Sequence, residues 1–148
     1  MSTIRVAREI QASVEQVWRV VEPVERHVDW MADAESIEFI TAQRRDVGTE
    51  FRCRTKVGPL RLTDVMRITK WEPRRAMGVE HVGLVTGSGV FTLTPLGDRL
   101  TRFEWEETLT FPWWLGGPLG AFVGGKVVLR AIWRGNLRRL AVLCEAAN

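Results

Sequence analysis

From Pro118 to Glu145 the chain has no second proline, and apolar residues recur at spacings of three and four. Leu119, Phe122, Leu129, Trp133, Leu137, Leu140 and Cys144 therefore share one stripe of a helix. Pro118 suits its first turn, where an N–H would lack a helical partner anyway. Lys126 is the one charged member of the stripe, and Arg134, Arg138 and Arg139 fall on the opposite side. At about 1.5 Å per residue a helix over 118–145 is roughly 42 Å long. One apolar face of that length needs a wide apolar partner, which the preceding chain has to supply.

That chain reads mostly in period two. Ile4, Val6, Arg8 and Ile10 alternate along a first strand. Ser13 and Gln16 form a capping-box pattern, so a helix begins there with Val14, Val17, Trp18 and Val21 inward. Pro23 ends it, and a second short helix spans Val24 to Trp30. No basic recognition helix follows this pair, which argues against DNA reading. From Glu35 onward alternation resumes. Ile37 and Phe39, then Phe51, Cys53, Thr55 and Val57, then Leu60, Leu62, Asp64, Met66 and Ile68 mark three strands. Ala76 to Gly83, Gly89 to Thr94 and Leu100 to Phe111 add three more. Turns are expected at Asp46-Val47-Gly48, Gly58-Pro59, Glu72-Pro73-Arg74, Thr86-Gly87-Ser88 and Leu96-Gly97-Asp98. Strands joined by such short turns run antiparallel. The expected class is α+β: a curved seven-stranded antiparallel sheet gripping the long C-terminal helix, with two short helices between strands 1 and 2.

Bulk properties narrow the setting. The 148 residues read as one domain, 1–148, with 45% hydrophobic and 26% charged residues. No apolar run reaches a membrane span and the amino end is charged, so a cytoplasmic protein is expected. A net charge of +3 does not make a nucleic-acid binder. Cys53 and Cys144 read as two reduced, buried thiols.

Several local patterns, in this order, resemble the helix-grip superfamily of START-like and birch-pollen-allergen-like domains. They are Ile10, Ala12, Val17 and Trp18; Trp30; Gly48; Trp71-Glu72-Pro73 with Arg75; Thr92-Leu93-Thr94-Pro95 with Gly97 and Thr101-Arg102; and Asn136-Leu137 with Leu140 and Glu145. The branch they look like is the polyketide cyclase/dehydrase and lipid-transport family. That resemblance implies a cavity between sheet and helix that holds a hydrophobic or amphipathic small molecule, such as a lipid. It leaves the chemistry open, because one fold hosts many functions. Binding or transport, a cyclase/dehydratase acting on a polyketide-like precursor, and an interaction module of the chaperone co-activator type are all compatible.

The expected ligand contacts follow from the inward rows. Trp30, Met66, Phe103, Trp105 and Trp133 would form apolar walls. Asp64, His81, Glu107, Lys126 and Arg130 would be polar contacts, or structural salt bridges, since a buried unpaired charge is costly. As an enzyme, the chain would draw its catalytic groups from His81, Glu107 and Asp64. His81 could exchange protons near neutral pH, and Arg54 and Arg130 could hold an enolate oxygen. The family cyclases are thought to use a tyrosine, and this chain has none. The Phe111 to Gly117 loop, with Trp113 and Trp114, could be a pocket lip, a core staple or a peripheral membrane contact. Gly120 to Val127 approaches a phosphate loop, but Val127 stands where Ser or Thr is needed, so no nucleotide and no other cofactor is expected. His27, Asp29 and Asp33 read as a solvated helix end rather than a metal site.

Overall fold

A computed structural model describes residues 2–58, 60–110 and 126–146. The expectations for Trp113-Trp114, and for the helix ahead of Lys126, lie outside these residues. Seven strands form one antiparallel sheet: β1 (Ser2–Ile10), β2 (Ala34–Phe39), β3 (Glu50–Val57), β4 (Leu60–Glu72), β5 (Ala76–Val82), β6 (Thr86–Gly97) and β7 (Leu100–Thr110). Their order across the sheet is β1-β7-β6-β5-β4-β3-β2. The chain thus meanders from β2 to β7, and β1 returns to close the far edge against β7. Between β1 and β2 lie α1 (Val14–Val21) and a 3-10 helix (Val24–Asp29). The long helix α2 (Lys126–Ala146) ends the fold. This is the helix-grip arrangement.

Local chemistry explains the elements. At the start of α1, Ser13 Oγ accepts from the Gln16 N–H at 3.2 Å and Gln16 Oε1 accepts from the Ser13 N–H at 3.0 Å, closing the capping box. Val17, Trp18 and Val21 are buried as the pattern requires. Along β7 the inward row Thr101, Phe103, Trp105, Glu107 and Leu109 is buried. On α2 the buried stripe is Leu129, Trp133, Asn136, Leu137, Leu140, Ala141 and Cys144. Lys126 stands half-buried at its start. α2 packs on β1 and α1. The Gln11 N–H donates to Glu145 Oε2 at 2.9 Å, tying the end of α2 to the segment after β1.

One turn is displaced from its expected place. Thr86-Gly87-Ser88 is not a turn but the start of β6, and the chain reverses at Gly83-Leu84-Val85. Gly87 serves the strand instead. Its φ is +136°, and a Cβ there would stand 1.9 Å from the Thr108 carbonyl oxygen on β7. A glycine inside a strand can mark a close backbone approach as well as a turn.

Candidate functional site

The inner face of the sheet and α2 flank a partly open cavity of about 370 Å³. Phe51, Leu62, Met66, Met77, Val79, Phe91, Trp105 and Leu109 line it from the sheet, and Val128, Leu129 and Trp133 from α2. Trp105 and Trp133 stack with ring centroids 4.3 Å apart and planes 11° apart, joining β7 to α2 along the cavity wall. Trp30 and Phe103 are fully buried outside the lining, where both rings pack at a tilt on Phe91 and Trp30 meets Trp105 and Phe103 edge-on. They support the wall without lining it.

One polar cluster interrupts the apolar surface. Asp64 on β4, His81 on β5 and Glu107 on β7 are only 6, 7 and 8% exposed, and all three line the cavity. His81 donates from Nδ1 to Asp64 Oδ2 at 2.5 Å and from Nε2 to Glu107 Oε1 at 3.3 Å. Burial alone would push the His81 pKa down. The hydrogen bonds and negative charges of the two carboxylates outweigh it and raise the value to about 10. His81 is therefore an imidazolium at neutral pH, with both N–H groups occupied. The two carboxylates hold its proton more tightly than a free imidazole would, whereas the sequence expectation was of exchange near neutral pH.

Glycines make this cluster possible. Glu107 and His81 sit on strands separated by β6, so the Glu107 side chain has to cross β6 to reach the ring. It crosses at its register partner, Gly89. A Cβ on Gly89 would stand 2.5 Å from Glu107 Cγ and 2.7 Å from Oε1. On the other flank, a Cβ on Gly83 would stand 3.0 Å from Asp64 Oδ1. That oxygen is buried without a hydrogen-bond partner among the described residues, as are Trp30 Nε1 and Trp105 Nε1.

A second polar group lines the cavity from the loop before β2. Asp33 accepts from Asn136 Nδ2 at 2.8 Å and from Trp133 Nε1 at 3.2 Å. Asn136 Oδ1 in turn accepts from the Ala32 N–H at 2.9 Å. Arg139 donates to Asn136 and to the Trp30 carbonyl. The arrangement fastens the loop to α2. His27 is buried, with Nε2 donating to the Val21 carbonyl at 2.7 Å, and burial lowers its pKa to about 4. Of the expected solvated helix end, only Asp29 faces solvent. The apolar residues Val24 and Trp30 around His27 draw it into the core instead.

Of the twelve expected ligand contacts, Asp64, Met66, His81, Trp105, Glu107 and Trp133 do line the cavity. Arg54 does not: it is exposed, because it alternates with inward Cys53 and Thr55 on β3. Lys126 and Arg130 are half-buried on α2 and outside the lining. The reading missed Asp33 and the part played by Gly89. An acid before a strand and a glycine within one were the available signals. Cys53 and Cys144 are free and buried. Among the described residues, no group of three or more His, Cys, Asp or Glu is arranged to hold a metal ion. No helix of the described residues is long and apolar enough to cross a membrane.

Comparison with curated proteins finds no match. Among solved structures the chain is similar to a protein from Thermus thermophilus, with TM-score 0.84, 19% identity and 99% of each chain covered. It is also similar to the Zhui aromatase/cyclase from Streptomyces sp. R1128, with TM-score 0.81 and 16% identity, over 97% of this chain and 93% of that one. A START superfamily protein from Mycobacterium smegmatis superposes with TM-score 0.80 at 12% identity over 99% of both chains. At such identities these likenesses show the shared fold. The sequence family described as polyketide cyclase / dehydrase and lipid transport matches residues 1–145, and the chain belongs to it.

Proposed function

We propose that this domain binds a hydrophobic or amphipathic small molecule between the sheet and α2. The observation that supports this reading is the cavity itself. About 370 Å³ lies within the range of small-molecule sites, and its lining is apolar with a few convergent polar groups. An interaction module of the co-activator type would call for a filled interior instead. A cyclase would want a titrating group or a cationic oxyanion holder at the cavity. His81 is held protonated with both nitrogens engaged, and Arg54 points to solvent. Binding is therefore the better reading.

Titration with a neutral solvatochromic dye such as Nile red tests it. The expected result is saturable uptake of one equivalent with a blue-shifted emission. Val79→Trp, which fills the cavity from β5, should abolish uptake while leaving the fold intact. Dye that remains in water with the wild-type chain, or binds equally to the filled variant, would overturn the reading.

A further inference from the structure

The charges that face the cavity are unbalanced. Asp33, Asp64 and Glu107 line it, against a single cation, the His81 imidazolium. His27 is neutral because burial lowers its pKa, and burial raises that of the Cys53 thiol. No Lys or Arg is among the described residues that line the cavity. Residues 111–125 contain no ionisable side chain, so that stretch cannot supply a counter-charge. Lys126 and Arg130, half-buried on α2, are the nearest cations in sequence, and neither lines the cavity.

The cation that is present is already committed. Asp64 and Glu107 occupy both N–H groups of His81, leaving none to meet an anion. Glu107, by contrast, is under-used. It is 8% exposed, takes one long bond from His81 through Oε1, and has no partner for its second oxygen among the described residues. The surrounding wall includes the aromatic rings of Phe91, Trp105 and Trp133, a residue type that attracts positive charge. A buried carboxylate with a free oxygen in an aromatic-lined cavity suits a protonated amine, which supplies both the missing charge and N–H donors.

We infer that the molecule this cavity takes is cationic: an apolar body carrying a protonated amine that donates to Glu107. The inference rests on the small-molecule reading above and narrows it to one class of ligand. Fatty acids, phosphorylated lipids and other anions are selected against, because they would meet three carboxylates and no free positive donor.

Three ligands of one shape and different charge test this at pH 7: 2-naphthylethylamine, 2-naphthylethanol and 2-naphthylacetate, each displacing Nile red from the wild-type chain. The amine should displace at a concentration at least ~tenfold lower than the alcohol, the scale of one charge-assisted hydrogen bond, and the carboxylate should be weakest. Glu107→Gln should collapse the ratio of amine to alcohol affinity to about one, whatever its effect on the alcohol itself. A purely structural role for Glu107 would instead weaken all three ligands together. An alcohol or carboxylate that matches or exceeds the amine on the wild-type chain overturns the charge inference and leaves the cavity reading standing. Failure of Nile red itself to bind removes the cavity reading, and this inference with it.

Discussion

Replacing His81 by glutamine tests how the polar cluster is held. The substitution keeps a side chain able to hydrogen-bond but removes the one cation between Asp64 and Glu107, both less than a tenth exposed. Removing one partner of a buried ion pair leaves an uncompensated charge and costs about 3–5 kcal/mol. For a chain of this size each kcal/mol lowers the melting temperature by about 2–4 °C, so a fall of roughly 6–20 °C is expected at pH 7. The pH dependence gives a second, independent signature. The folded-state pKa of His81 lies above its ordinary value of 6.5, at about 10. Its contribution is therefore fully present below pH 6.5 and declines as pH rises toward 10, with a slope of about 1.4 kcal/mol per pH unit. His81→Gln removes that slope. Neutralising the whole cluster, with Asp64→Asn and Glu107→Gln added, should recover much of the loss. Urea unfolding followed by tryptophan fluorescence at pH 5, 7 and 9 measures the free energies, and a thermal melt at pH 7 the fall in melting temperature. A single variant within ~1 kcal/mol of wild type at pH 7, or a wild-type profile flat from pH 7 to 9, would refute the ion-bridge account.

Other consequences follow from the same geometry. Gly89→Ala places a methyl group within the Glu107 side chain, so it should cost about 1–3 kcal/mol in urea unfolding and reduce the preference for the naphthyl amine over the alcohol. Asn136→Ala strips a partner from both the Ala32 N–H and Asp33 Oδ1, and should lower stability by about 3 kcal/mol in the same assay. Burial pushes the Cys53 and Cys144 thiols up to about 11 and 12, so iodoacetamide at pH 8 should label neither in the folded chain and both in urea, read by mass spectrometry.

How far the sequence led can be judged residue by residue. Alternation such as Phe103-Glu104-Trp105-Glu106-Glu107 fixes which face of a strand is inward, and so it placed Asp64, His81 and Glu107 on the cavity side. The stripe through Leu129, Trp133, Leu137, Leu140 and Cys144 fixed the buried face of α2 in the same way. What alternation cannot express is contact across strands. That His81 bridges Asp64 and Glu107 depends on a side chain crossing β6 over Gly89. In one dimension that glycine reads as punctuation, which is also why a turn was expected at Thr86-Gly87-Ser88. Arg54 and Arg130 drew attention as cations near apolar rows. The period of two turns Arg54 outward on β3, and the helical period keeps Arg130 off the lining of α2. Asp33 lies where no period runs, so only the packing of its loop against α2 shows it at the cavity, and His27 turns inward from the 3-10 helix onto Trp30 and Phe91.

Native mass spectrometry of the purified chain, before and after organic extraction and then after incubation with Nile red, addresses the cavity most directly. The account predicts a one-to-one adduct, either brought through purification and removed by solvent or formed with the dye, and lost in Val79→Trp. The bare chain mass under every one of these conditions would contradict it.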